Sequence, residues 1–338
     1  VAAVRILITG GCGFLGSHLV DHFLRAHLDD GDGETEIVVL DKLADAYGFD
    51  RLREITAASG MTREAMHARV RTLGGVNLEL PITDGVKHEI GRVDYIIHAA
   101  AVLSGEGVPT IANPRAMVNL LELAQGMPDL RRMFVVSTDA VYGAIAEGGH
   151  HELSACNPSS LYAASMTSVE SVVGAYKRSV RSTIVTAPRL FGERQRAEAF
   201  IPTVIRSLLA GEHVPIYVGV TRQYLHARTF AHAIEYLLEG DWHFARRDPP
   251  ADLGLPHKVH VSGREFSSLE LAKRIAEWIG RPFSWDALIP SGDLRRALED
   301  KLIAEFEWNR PDDFEHMLER TVDWYVSNPR WLESSRKL

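Results

Sequence analysis

The residues richest in chemistry come early in the chain. Thr9-Gly10-Gly11-Cys12-Gly13-Phe14-Leu15-Gly16 sets Gly10, Gly13 and Gly16 at the spacing G-x-x-G-x-x-G. Such glycines permit a tight turn, let the main chain approach a pyrophosphate and allow close helix–strand packing. A helix opening at Phe14 and Leu15 would face the phosphates with free N–H groups and the positive end of its dipole. The apolar run at residues 37–40 then ends at Asp41. An acid at a strand tip accepts hydrogen bonds from an adenosine ribose and repels a 2′-phosphate, so NAD is expected over NADP. Lys42 follows and leaves room for NADP, and a solvated strand-end carboxylate is the plainer alternative. His98-Ala99-Ala100-Ala101 puts small residues where main chain would pass close to a cofactor, or packs simply as alanines.

The elements that must position these residues follow from hydropathy. Residues 4–9, 37–40, 76–80, 95–98, 133–137 and 183–186 are short β-branched runs that read as buried parallel strands. Residues 14–27, 114–125 and 160–177 read as helices. This alternation implies a Rossmann-type, doubly wound parallel sheet. After about residue 192 the character changes, with helical segments at 201–210, 229–239 and 268–279 between loops rich in Pro, Gly and aromatics. The expected organisation is α/β: an NAD-binding Rossmann domain over residues 1–190 and a smaller α/β substrate lobe over 191–338. The chain is free to cross back, and the cleft between lobes is the natural ligand site.

Bulk properties narrow the class. A chain of 338 residues can bury a large core. Its net charge of -8, with Lys and Arg dispersed, offers no basic stripe for nucleic acid. No apolar run reaches ~18 residues, so no membrane span is expected. Residues 4–9 run straight into the glycine loop and read as a strand, not a signal peptide. The two cysteines, Cys12 and Cys156, are too few for a disulfide framework and lack metal-ligand spacing. A reducing, cytoplasmic setting is expected. His150-His151 lie in a Gly-rich stretch without a third ligand and read as a solvated loop, so no metal site is expected.

Further along come Ser137-Thr138-Asp139-Ala140-Val141-Tyr142-Gly143 and Asn157-Pro158-Ser159-Ser160-Leu161-Tyr162-Ala163-Ala164-Ser165-Met166. These segments resemble the extended short-chain dehydrogenase/reductase family. Within it they look most like nucleotide-sugar epimerases and dehydratases, above all dTDP-glucose 4,6-dehydratases. The resemblance covers nearly the whole chain. It continues through Asn113 with Asn119-Leu120-Leu121-Glu122, Phe200-Ile201-Pro202, Pro215-Ile216-Tyr217-Val218-Gly219 and Arg222-Gln223-Tyr224. It ends on Phe306-Glu307-Trp308, Thr321-Val322-Asp323-Trp324-Tyr325 and Asn328-Pro329-Arg330-Trp331.

The resemblance implies NAD as cofactor and a dTDP-, UDP- or GDP-linked hexose as substrate. It implies Tyr162 as the base that takes a sugar hydroxyl proton while hydride leaves that carbon for NAD. Thr138 would donate to the same oxygen, and Asp139 would act as acid on a departing C6 hydroxyl. The hydride finally returns, so the cofactor is not consumed. Cofactor contacts are implied at Gly10, Gly13, Phe14, Leu15, Gly16, Asp41, Lys42, Ile82, Ala99, Ala100 and Tyr162. Substrate contacts are implied at Arg189, Ile201, Tyr217, Arg222 and Arg295, the last together with Arg296. Arg189 reads equally as a pyrophosphate clamp or as a surface charge. The resemblance also implies a homodimer through a four-helix bundle. In it Met117, Leu121, Val169, Val172 and Val173 would carry apolar surface beyond what one core needs.

Two departures from the pattern matter. The family's Tyr-x-x-x-Lys here ends in Met166. Positions i and i+4 share a helix face, so the missing ammonium would have stood beside the phenol. An unperturbed tyrosine titrates near ~10, leaving only ~0.1% ionised at pH 7. If a lysine lowers that by ~3 units, its loss costs on the order of 4 kcal/mol in forming the base. Lys177, on the same expected helix, is too distant to substitute. Second, dehydratases follow the Asp with a Glu that removes the C5 proton, and this chain has Ala140. Glu106, Glu147 and Glu152 sit in nearby loops as open candidates. Four readings follow: a 4,6-dehydratase or close variant, a 4-epimerase that needs no C5 base, a 4-ketoreductase, and a low-activity sugar-nucleotide-binding protein.

Overall fold

The computed structural model describes residues 3–26, 35–44, 47–103, 111–246, 257–290, 292–300, 303, 307–311 and 313–333. The sheet forms where the sequence is most apolar. β1 (Arg5–Thr9) and β4 (Tyr95–His98) are buried almost throughout, as strands covered on both faces must be. With β2 (Glu36–Asp41), β3 (Val70–Gly74), β5 (Arg132–Thr138), β6 (Ser182–Ala187) and β10 (Lys258–His260) they make a seven-stranded sheet of order β10-β6-β5-β4-β1-β2-β3. β1 pairs in parallel with both β2 and β4. The strand order therefore reverses at β1, and the crevice at its carboxyl end is the topological switch point.

Helices α1 (Phe14–Arg25), α2 (Gly48–Ser59), α3 (Arg63–Arg69), α4 (Asp84–Ile90), α5 (Ala112–Gln125) and α6 (Leu161–Ala175) connect these strands. Ser160 caps α6, accepting the Ala163 N–H at 3.2 Å. Two expectations are corrected. The third strand is β3, not residues 76–80. Gly75 turns the chain at φ 79, and the Asn77 side chain accepts the Glu79 N–H, so the β-branched run at 76 enters a turn. Next, of the five apolar residues expected at a dimer axis, Met117, Leu121, Val169 and Val173 are at most 1% exposed within this single chain, while Val172 is half-buried. α5 and α6 pack on one another and consume that apolar surface. What α6 leaves exposed is Leu161 at its start and the small residues Ser168, Ser171 and Ala175, with Ala164 half-buried.

The chain divides into two compact units. The first is Val1–Ser137, Ser160–Thr186 and Ala231–Val259; the second is Thr138–Ser159, Ala187–Phe230 and His260–Leu338. The boundary placed near residue 190 is thus one of several crossings. In the second unit β9 (Thr221–His226) pairs with β7 (Arg189–Phe191), β11 (Arg264–Ser267) and β13 (Arg295–Arg296). β8 (Val214–Tyr217) pairs with β12 (Trp285–Leu288). Helices α7 (Phe200–Ala210), α9 (Ser268–Ile279) and α10 (Phe314–Ser327) pack in this unit, while α8 (Ala227–Arg246) begins in it and continues in the first. Among the described residues no helix is long and apolar enough to cross a membrane, and no three His, Cys, Asp or Glu side chains group as metal ligands.

Candidate active site

In the first unit the glycine loop joins β1 to α1. Gly10 has φ 72, and a Cβ there would sit 2.8 Å from the Ala100 main chain. A Cβ on Gly16 would fall 1.9 Å from the Gly10 carbonyl oxygen. These two positions admit only glycine, one for the turn and one for the helix–loop approach. Gly13 differs: its added Cβ would meet only the Gly10 oxygen, at 3.0 Å. Gly13 is also the N-cap of α1 and supplies no side chain to the first-turn N–H groups, where Phe14 and Leu15 are half-buried. That is the cradle an anionic pyrophosphate requires.

Asp41 stands at the tip of β2 and is tied to the loop. Its Oδ2 accepts the Cys12 N–H at 2.9 Å and its Oδ1 the Leu43 N–H at 2.7 Å. Lys42 is turned to Glu79, Nζ to Oε1 3.1 Å. Ala99 and Ala100 follow β4, with the Ala99 N–H on the Thr9 carbonyl. Ile82 is half-buried just before α4. Sequence reasoning missed the supports beneath. Arg51 is fully buried and donates to the Cys12 carbonyl at 3.0 Å. Burial, reinforced by Asp41, pushes the Cys12 thiol up to about 12. His98 lies 2.7 Å from the Thr9 hydroxyl, and burial pushes it down to about 4. The donor set and the glycine cradle fit a dinucleotide.

Tyr162 lies in the first turn of α6, half-buried, with Met166 one turn on at 4% exposure. The Asn113 amide donates to Ser165 Oγ at 3.0 Å and pairs with both main-chain groups of Val102, so α6 is pinned to the segment after Ala100. One turn below Met166, Glu170 accepts from Ser137 Oγ and from Lys258 Nζ, the latter at 2.7 Å.

In the second unit a cavity of about 490 Å³ is lined by Arg189, Ile201, Tyr217, Arg222, Tyr224 and Asp293 among others. Arg222 is 6% exposed, and its Nη1 donates at 2.8 Å to the carbonyls of Thr221 and Leu294. Its Nε is buried without a partner. Burial, with Arg296 and Arg189 nearby, pulls this guanidinium down to about 10. Burial raises the Tyr224 phenol, against the opposing pull of Arg189 and Arg222. Arg296 reaches Asp139 at 3.7 Å, and Thr138 Oγ1 donates to the same Asp139 oxygen at 3.3 Å. The lining thus carries two guanidiniums, Arg189 and Arg222, and two carboxylates, Glu198 and Asp293, with the Arg296–Asp139 pair beside Arg222. The guanidiniums offer paired donors to a diphosphate.

One expected site residue is displaced. Arg295 forms two 2.8 Å bonds to the Glu265 carboxylate and a third to Gly148 O. Its charge is already matched, and strand alternation sends Arg296 the other way. Of the open carboxylates, two are placed. Glu152 accepts the His260 N–H, Glu147 is exposed, and Glu106 lies outside the described residues.

Residues 6–243 match the NAD dependent epimerase/dehydratase family. The chain belongs to this family. A dTDP-glucose 4,6-dehydratase of Streptomyces niveus is 29% identical over 345 residues, covering 98% of this chain and 95% of that one. The trifunctional UDP-glucose 4,6-dehydratase/UDP-4-keto-6-deoxy-D-glucose 3,5-epimerase/UDP-4-keto-L-rhamnose-reductase of Arabidopsis thaliana is 29% identical over 344 residues; the match takes 97% of this chain but only 48% of that protein. The crystal structure of dTDP-glucose 4,6-dehydratase from Streptomyces venezuelae, with NAD bound, superposes at a TM-score of 0.81 with 28% identity, covering 98% of this chain and 99% of that one.

Proposed function

We propose that this family member is an NAD-dependent enzyme that modifies a nucleotide-activated hexose through a 4-keto intermediate, most like an NDP-glucose 4,6-dehydratase. The observation that carries the reading is the arginine cavity of the second unit, in a chain alike end to end with dTDP-glucose 4,6-dehydratases. When bound, NAD supplies the acceptor for a hydride and later its donor. Gly10, Gly13 and Gly16 admit the pyrophosphate, Asp41 holds the adenosine ribose and repels a 2′-phosphate, and Lys42 is turned to Glu79. Phe14, Leu15, Ile82, Ala99 and Ala100 line the cofactor.

Tyr162 takes the proton from the C4 hydroxyl, Thr138 donates to that oxygen, and Asp139 serves the C5–C6 elimination. Arg189, Arg222 and Arg296 hold the diphosphate, Tyr217 and Ile201 the nucleoside. Ala140 favours a second reading, a 4-epimerase, because epimerisation at C4 needs no base at C5. Two copies of the chain are proposed to assemble through α5 and α6, now by close approach of the small outer row.

Incubation of the pure protein and NAD with dTDP-, UDP- and GDP-hexoses separates the readings. A 4-keto-6-deoxy product supports the dehydratase. A stereoisomer without net redox supports the epimerase and overturns the first reading, as does binding without turnover.

A further inference from the structure

We propose that Asp139 alone performs both halves of the elimination, taking the C5 proton of the 4-keto hexose and delivering it to the departing C6 hydroxyl. The assignment deepens the dehydratase reading and rests on it. Elimination from a β-hydroxy ketone needs a base for the acidic C–H and an acid for the leaving oxygen. Where a second carboxylate would follow Asp139, the chain has Ala140, buried at 6% exposure. Of the other carboxylates of the second unit, Asp293 accepts the Ser159 hydroxyl at 2.8 Å and Glu198 is exposed at the cavity wall. Glu152 accepts the His260 N–H, Glu265 pairs with Arg295, and Glu193 pairs with Arg320 and His226. Glu147 points into an exposed loop.

Asp139 differs from all of these. It is 4% exposed; Oδ1 takes the Thr138 hydroxyl and faces Arg296, while Oδ2 is buried without a partner. A dry carboxylate oxygen with no donor is costly unless a ligand supplies one. Thr138 is the hydroxyl assigned to the sugar O4, and its Oγ1 lies 3.3 Å from the Asp139 carboxylate. When the single Thr138 proton turns from Asp139 to O4, it frees Oδ1 and sets that carboxylate alongside the next two carbons, C5 and C6. The C5–H bond breaks, its electron pair forms the C5–C6 double bond, and the proton passes to Asp139. The C6–O bond breaks with its own pair, Asp139 returns the proton to that oxygen, and water leaves. The carboxylate ends as it began, so one residue suffices when both bonds lie on one face of the sugar. The competing base is His150, whose Nε2 is also buried without a partner.

The two roles separate when exchange is measured apart from elimination. The holoenzyme is given dTDP-4-keto-6-deoxyglucose in D₂O, and deuterium at C5 is followed by mass spectrometry; elimination is followed with dTDP-glucose. Asp139→Asn is expected to slow both exchange and elimination by at least about 100-fold while keeping NAD binding. Asp139→Ser, which removes the carboxylate with a different shape, should do the same. His150→Gln and Glu106→Gln should leave exchange unchanged. Retained exchange in either Asp139 variant, or its loss in His150→Gln or Glu106→Gln, overturns the single-residue assignment. A parent enzyme that yields only a 4-epimer overturns the dehydratase reading itself, and is recognised by the product before any variant is made.

Discussion

At the scale of single residues, the methionine one turn below Tyr162 sets the acid–base problem. Met166 is buried at 4% exposure where the family pattern has an ammonium. Without an ammonium at that position the phenolate loses the charge that favours it, so turnover should be low at pH 7 and rise as the pH is made alkaline. Met166→Lys should move that rise to lower pH, and also lower the melting temperature, because an ammonium enters a buried site. Tyr162→Phe should abolish turnover and leave NAD affinity nearly intact. A flat pH–rate profile, with Tyr162→Phe as active as the parent, removes Tyr162 from the mechanism. Cysteine gives a second check. Cys12 is buried with its thiol at about 12, while Cys156 is exposed. Native protein at pH 8 should take one iodoacetamide, at Cys156. Labelling at Cys12 would show that the glycine loop opens in solution.

At the scale of elements, the β1–α1 loop and the tips of β2 and β4 act together. Gly16→Ala forces a Cβ within 1.9 Å of the Gly10 oxygen, so loop and helix must separate. Loss of NAD binding with a destabilisation of a few kcal/mol is expected by titration and urea unfolding. Asp41→Ala should lower NAD affinity and erase its advantage over NADP, because Asp41 is the carboxylate placed by the Cys12 and Leu43 N–H groups. Equal affinities in the parent would refute the NAD assignment. His98, at the end of β4, titrates near 4 in the fold against an ordinary value of 6.5. Between those values the unfolded chain takes up a proton that the native state refuses. Stability present above pH 6.5 is therefore lost as pH falls towards 4, by about 2 kcal/mol between pH 7 and pH 5 from this residue. Urea midpoints at the two pH values should differ by less in His98→Asn.

At the scale of the whole molecule, the chain crosses between its two units several times, so residues of the glycine-loop unit and of the arginine-cavity unit alternate along the sequence. Assembly belongs to this scale too. Four of the five apolar residues expected to surround a dimer axis are spent inside the chain, and α6 exposes the small residues Ser168, Ser171 and Ala175, with Leu161 exposed at its start. A small flat row lets two helices approach closely but buries little apolar area. The expected outcome in light scattering is a dimer weakened by Ser168→Arg, and a concentration-independent monomer would refute it.

The sequence by itself determined what local chemistry dictates. The glycine spacing, the apolar strand runs, the acid at the β2 tip and the order of Thr138, Asp139 and Tyr162 were all legible, because each is a short-range pattern. The resemblance carried the family. Even so, residues 76–80 misled, since the alternation of Val76, Leu78 and Leu80 does not reveal that Asn77 turns the chain. Only the tertiary structure decided which of two adjacent arginines meets Asp139, because strand alternation and the Glu265 partner are set by pairing across 30 residues. It likewise decided that Met117 and Val169 belong to the core. Hydrophobicity says that a side chain leaves water, and only packing says whether its neighbour is the same chain or another.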